Sequence, residues 1–243
     1  MIINQEKCLG CKLCIPYCIA NAISMQDKKA VIDRDLCVEC SVCKQVTVCK
    51  YDAFEVDELE WPRAIRRTYS NVMAKHPQTG MTGRGTPEMK TNEVTGKYRR
   101  GEVGLGVELG RPDVCTRFRD VEKVAKTLAK AGVTFDPEAP TTLVMTDSKK
   151  GTLPPEILNE RVICVILECK APIEKLPAIL EALYKVSKRI DTVFSLDMIT
   201  VAEEDGSLPN IKIARRLGYE VRPNAKTTVG LGRPLFNPQE AHR

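Results

Sequence analysis

From about residue 101 onward, the apolar positions of this 243-residue chain fall by turns into strand and helix periods. Residues 101–109 read as a strand, and 119–131 has helical spacing with Val121, Val124 and Leu128 on one face. Residues 141–146 read as a second strand and 161–169 as a strongly apolar third. An amphipathic helix is predicted over 173–189, with Leu176, Ile179, Leu180, Leu183 and Val186 inward. A strand over 192–201, a helix near 210–217 and a strand near 219–223 complete the series. The order β-α-β occurs twice, which predicts a two-layer α/β sandwich. Two echoes suggest internal duplication: residues 106–112 against 165–172, and Val103-Gly104-Leu105-Gly106 against Val229-Gly230-Leu231-Gly232.

Upstream of this region the periodicity fails. Residues 62–100 hold nine Lys/Arg (Arg63, Arg66, Arg67, Lys75, Arg84, Lys90, Lys97, Arg99, Arg100) against Glu88 and Glu93. A short helix-compatible piece opens the stretch, and Pro77, Gly80, Gly83, Gly85 and Pro87 then break it. It is too long for an ordinary connector. Three readings compete: a solvated linker, an arm folded over its own acidic N-terminal part, and an extended arm that wraps a partner subunit. The third is favoured, because a segment so poor in apolar residues orders only against a surface.

The first 60 residues carry the chemistry. Eight of the chain's eleven cysteines lie there in two runs, Cys8-x2-Cys11-x2-Cys14-x3-Cys18 and Cys37-x2-Cys40-x2-Cys43-x5-Cys49. Three cysteines at x2 spacing let one tight loop wrap three corners of a cubane cluster, and eight thiolates suit two cubes. The runs are duplicated. Ile2-Ile3 precede Cys8 as Val31-Ile32 precede Cys37, at an offset of 29 residues that becomes 31 between Cys18 and Cys49. Zinc also accepts four thiolates but has no use for four per unit at this repeat. A disulfide framework needs an oxidising compartment, and the start Met1-Ile2-Ile3-Asn4 has no secretory pattern. No apolar run approaches the roughly 18 residues of a membrane span, so a cytoplasmic protein is expected.

At these residues the sequence resembles the bacterial-type ferredoxins with two [4Fe–4S] clusters, over about residues 1–58. The resemblance implies that each unit lends its last cysteine to the other cube. One cluster would take Cys8, Cys11, Cys14 and Cys49, the other Cys37, Cys40, Cys43 and Cys18. The family's proline after the last cysteine is replaced by Ile19 and Lys50, with Pro16 lying between Cys14 and Cys18. That change alters local stiffness and hydrogen bonding, not ligand identity. The expected class is therefore α+β, divided into a dicluster ferredoxin domain (1–58), a basic arm (59–100) and a ferredoxin-like α/β sandwich for docking (101–243). The last part also loosely resembles ACT-type regulatory domains, which place a proline before the first helix.

Other features subtract more than they add. Gly104-x-Gly106-x3-Gly110 is no dinucleotide fingerprint, since no helix opens on it; a strand bulge or close packing is expected. Cys115, Cys164 and Cys169 read as small buried residues, the last two facing opposite sides of one strand. Histidine occurs only as His76 and His242, outside any catalytic motif. The formal net charge of +5 falls to about +1 once two cubes with their thiolates are counted at roughly −2 each. One Trp and few aromatics then argue against a nucleic-acid platform.

These features predict a non-catalytic electron-transfer subunit of a hetero-oligomeric oxidoreductase, docking a catalytic partner and exchanging electrons with a soluble donor or acceptor. A flavoprotein is the expected partner, because one-electron clusters feed two-electron flavins; a molybdenum or tungsten enzyme is next. The rival classes are a redox-linked small-molecule sensor and an enzyme in its own right. Lys7, Lys12, Lys44 and Lys50 are expected to raise cluster potentials, and Glu6, Glu39 and Asp52 to lower them.

Overall fold

The computed structural model describes residues 1–82, 92–111 and 114–222. In the N-terminal part, β1 (Ile2–Ile3) pairs antiparallel with β4 (Phe54–Glu55), and β2 (Ile23–Gln26) with β3 (Lys29–Ile32). Helix α1 (Val42–Gln45) is a single turn, and α2 (Ala64–Ser70) follows β4. The apolar core here is small, with Met1, Ile23, Ala30, Ala53 and Phe54 packed around the cysteines.

The larger core lies beyond α3 (Asn92–Thr95). Its elements are β5 (Glu102–Leu109), β6 (Thr116–Arg117), α4 (Phe118–Lys130), β7 (Thr134–Phe135), α5 (Pro140–Val144), β8 (Arg161–Val162), β9 (Val165–Pro172), α6 (Leu176–Ser187), β10 (Phe194–Ile199) and α7 (Pro209–Arg216). Four strands form one sheet in the order β10-β5-β9-β7, every neighbour antiparallel. Side chains alternate along a strand, so Val103, Leu105, Val107 and Leu109 of β5 share a face with Val165, Leu167, Cys169 and Ala171 of β9. All eight are buried against Val121, Val124 and Leu128 of α4 and Leu176, Ile179 and Leu183 of α6.

Several predicted elements change. Residues 141–146 form no strand: Pro140, with φ already fixed for a first turn, opens α5, and the β-branched Thr141 and Thr142 follow it into the helix. The strand predicted over 161–169 is two, β8 pairing with β6 and β9 joining the main sheet, so Cys164 lies between strands and Cys169 on one. The helix predicted from 173 begins with a 3-10 turn, Ile173–Lys175. Residues 219–222 form no strand, and Pro223, Val229 to Gly232 and His242 lie outside the described residues.

The basic stretch turns largely onto its own chain. Ile65 of α2 enters the main core and Arg66 is buried. Lys97 pairs with Asp136 at 2.7 Å, and Arg100 with Glu204 at 3.2 Å. His76, 1% exposed, stands edge-on to Tyr69 at 5.1 Å. Arg84 and Lys90 lie outside the described residues.

Two positions yield predictions. Register is continuous through Gly104, so there is no bulge; the position is one of close approach. A Cβ there would lie 2.3 Å from the Tyr98 ring and 2.6 Å from Ile199. Gly104→Val is expected to destabilise by about 1–3 kcal/mol, read as a lower urea midpoint; an unchanged midpoint would refute the crowding. Glu39, 1% exposed, accepts from Arg63 at 2.6 and 3.0 Å and pairs with the Met1 amino group. Burial alone would push its carboxyl up, but the hydrogen bonds from the Met1 ammonium and Arg63 outweigh it and hold it below the usual carboxylate range. A depressed carboxylate contributes stability that is present above its unfolded pKa and lost as pH falls through its folded one. Glu39→Gln should therefore cost about 3–5 kcal/mol at neutral pH, with the difference from wild type vanishing in acid.

Candidate metal centres

Each cysteine run opens on the same side-chain turn. Asn4 Oδ1 accepts from the backbone N–H groups of Glu6 (2.9 Å) and Lys7 (3.2 Å). Asp33 Oδ1 accepts from Asp35 (2.8 Å) and Leu36 (3.1 Å). Short polar side chains mimic a backbone turn in this way. Cys8 N then donates to Asn4 O at 3.1 Å, and Cys37 N to Asp33 O at 3.0 Å. Left-handed backbone also falls at matching places: Gly10 and Lys12 (φ +68° and +66°) in the first run, Glu39 and Ser41 (+58° and +63°) in the second. A non-glycine residue held there carries strain that its surroundings must sustain.

The two units are exchanged at their ends. Asn4 N donates to Ala53 O at 2.8 Å, so the end of the second unit lies beside the start of the first. Asp33 N donates to Ala22 O at 2.7 Å, which places the end of the first beside the start of the second. As a result Cys8, Cys11, Cys14 and Cys49 line one cavity of ≈ 360 Å³, with Leu9, Leu13 and Phe54 among its apolar walls. Cys18, Cys37, Cys40 and Cys43 line another of ≈ 350 Å³, walled by Ala22, Ile23 and Val38. Backbone N–H groups approach the sulfurs, Ala22 to Cys18 Sγ at 3.1 Å and Ala53 to Cys49 Sγ at 3.5 Å, again at equivalent positions.

The donor set suits a cluster better than one ion. Among the described residues no three His, Cys, Asp or Glu side chains converge as a single metal ion requires, whereas a cube spaces its thiolates around a larger body. Burial pushes the thiols of Cys14 and Cys37 upward, Cys40 up to about 11 and Cys43 up to about 12. Neighbouring cysteines add like-charge repulsion. An iron–sulfur core would supply the positive iron centres that make thiolates favourable in this setting, so loading and proton release are coupled.

The remaining candidates are placed as follows. Lys12 lines the first cavity, and Lys44 Nζ donates to Phe54 O at 3.0 Å. Cys169 is buried in the main core, where burial pushes its thiol up. Cys115 is buried against Ala20, Ala22 and Val38, beside Cys18, Cys37 and Cys40. That proximity was missed from sequence because 66 residues separate Cys115 from Cys49 and no spacing links them. Also missed were Arg161 and the role of Arg66, whose guanidinium groups bond loop carbonyls next to the second cysteine set.

Comparison with known proteins points to the same N-terminal chemistry. The family described as 4Fe-4S binding domain matches residues 1–24. Two curated relatives, each named indolepyruvate oxidoreductase subunit IorA and coming from Pyrococcus abyssi and Pyrococcus horikoshii, are 44% identical over 55 residues. The aligned segment is 22% of this chain and 8% of each relative. No solved structure gives a significant match. Among the described residues no helix is long and apolar enough to cross a membrane. The N-terminal residues 1–24 thus match the 4Fe-4S binding domain family, and a 55-residue segment of the chain is similar to those indolepyruvate oxidoreductase subunits.

Proposed function

We propose that this chain is an electron-transfer subunit of an oxidoreductase and holds two [4Fe–4S] clusters. Cys8, Cys11, Cys14 and Cys49 would bind one, and Cys37, Cys40, Cys43 and Cys18 the other. The observation that carries the reading is the sorting of eight cysteines into two sets of four around two cavities of nearly equal size. Bound cubes would supply one-electron chemistry. The protein would supply thiolates, N–H groups aimed at sulfur, and apolar walls that limit water.

The rest of the chain serves docking in this reading. The order β10-β5-β9-β7, with α4 between β5 and β7 and α6 between β9 and β10, supports a ferredoxin-like sandwich for the C-terminal part. The division at residues 58 and 100 is kept with one adjustment, because α2 packs into the sandwich core. The catalytic partner is assigned to the flavoprotein class, since single-electron carriers commonly feed a two-electron flavin. The relatives' printed name supports an oxidoreductase; the aligned module carries no substrate assignment.

Four outcomes follow. Anaerobically prepared protein should contain about eight irons per chain. Cys11→Ser with Cys49→Ser should retain about four, while Cys11→Ser with Cys18→Ser damages both sites; equal iron in the two double variants would overturn the crossed ligand sets. Removing iron should make residues 1–58 protease-sensitive while the main core stays protected, because the small module has little apolar core of its own. Recovery of the chain from its native cell with a stoichiometric flavoprotein would support the partner assignment, and a molybdenum or tungsten protein would replace it.

A further inference from the structure

The two cysteine cages differ in what grips them from outside. Arg161 of β8 donates through Nη1 to Leu36 O at 2.8 Å and Ala20 O at 3.2 Å, and through Nη2 to Val114 O at 3.5 Å. Leu36 immediately precedes Cys37, and Ala20 follows Cys18 by two residues. Arg66 of α2, 4% exposed, donates through Nη1 to Cys37 O at 2.7 Å, Asp35 O at 2.8 Å and Arg34 O at 3.1 Å. Among the described residues no guanidinium bonds the loops holding Cys8 to Cys14 or Cys49. The lysines near that site, Lys7, Lys12, Lys44 and Lys50, are exposed and Lys29 is half-buried, with Lys44 bonding the Phe54 carbonyl and Lys29 that of Gln5.

Compensating charges near the second site are already engaged. Arg66 Nε pairs with Glu160, Asp35 with Arg117 at 2.5 Å, and Glu39 with Arg63, Arg34 and the Met1 amino group. Arg161 hydrogen-bonds only carbonyl acceptors among the described residues, and Asp35, the carboxylate it acts on, is already bonded to Arg117, so the charge of Arg161 is only partly offset in the seam. Reduction adds one negative charge to a cluster, and a cation held in a partly buried seam favours that state more than lysines screened by water and salt.

We infer that Arg161, with Arg66 beside it, makes the site of Cys18, Cys37, Cys40 and Cys43 the higher-potential of the two, so that electrons entering at the other site pass to this one. The inference rests on the two-cluster reading. In the transfer the first site is oxidised by one electron and the second reduced by one, with no bond or proton moved. Arg161 is a positioning residue that acts through charge. By linkage, reduction of the second site tightens the seam that Arg161 spans.

Anaerobic, EPR-monitored potentiometric titration of the full chain with a chemical reductant tests this, with iron counted on the same samples. In Arg161→Gln the higher of two potentials should fall by on the order of tenfold in the reduction equilibrium, about 59 mV for a one-electron couple, and the lower should hold. Arg161→Lys should retain most of the wild-type value, and Lys150→Gln should change neither. Should Arg161→Gln lose its second cluster, Arg117→Gln, which frees the Asp35 carboxylate to face Arg161 and Arg66, should lower the same potential. The inference is overturned if the lower potential moves instead, if neither moves with iron intact, or if the Lys variant falls as far as Gln. Wild-type iron near four per chain would instead show that the two-cluster reading itself is wrong.

Discussion

Four thiolates held around one small space repel one another and lose solvent, and the N-terminal module is organised around that penalty. The thiols of Cys14, Cys40 and Cys43 are driven toward the neutral form by burial and by neighbouring cysteines, and that of Cys37 by burial. A multiply charged iron–sulfur core would offset both terms and help a segment with so little apolar interior hold left-handed backbone at Lys12, Glu39 and Ser41. The polar turns at Asn4 and Asp33 hold these loops from one side, and a bound cluster would hold them from the other.

The second constraint is the seam between the cysteine-bearing segment and the α/β core. Its members are a few arginines acting on backbone carbonyls, together with Ile163 N donating to Ser70 Oγ at 3.0 Å and Cys115 packed beside Ala20 and Val38. Guanidinium groups suit this task because their donors are fixed in a planar fork and their charge persists at any working pH. Among the described residues the arginines of the seam bond carbonyls beside the Cys18, Cys37, Cys40 and Cys43 cage and none beside the other, so two units of similar sequence differ in their electrostatic surroundings.

Much of this was legible in the residues. The cysteine spacing marked the cages, and the repeat of Ile2-Ile3 and Val31-Ile32 marked the duplication. Helices α4 and α6 announced themselves through long periodic faces. Residues 141–146 misled because Thr and Val favour strands on average, while Pro140 fixes a helical first turn locally. The break between β8 and β9 fell inside one apolar run, where periodicity carries no boundary signal. Arg161 and Cys115 were illegible as site neighbours, since only tertiary packing brings them to residues more than 60 positions away. The basic stretch was visible, but charge alone did not show that Arg63, Arg66, Lys97 and Arg100 find acceptors within the same chain.

Two clusters in crossed cysteine sets would each borrow one ligand from the other run. Iron-edge anomalous diffraction from anaerobically grown crystals tests this most directly. Crossed sets give two iron peaks, one bounded by Cys8, Cys11, Cys14 and Cys49 and the other by Cys18, Cys37, Cys40 and Cys43. A single peak, or a cluster ligated by both Cys14 and Cys18 of one run, would contradict it.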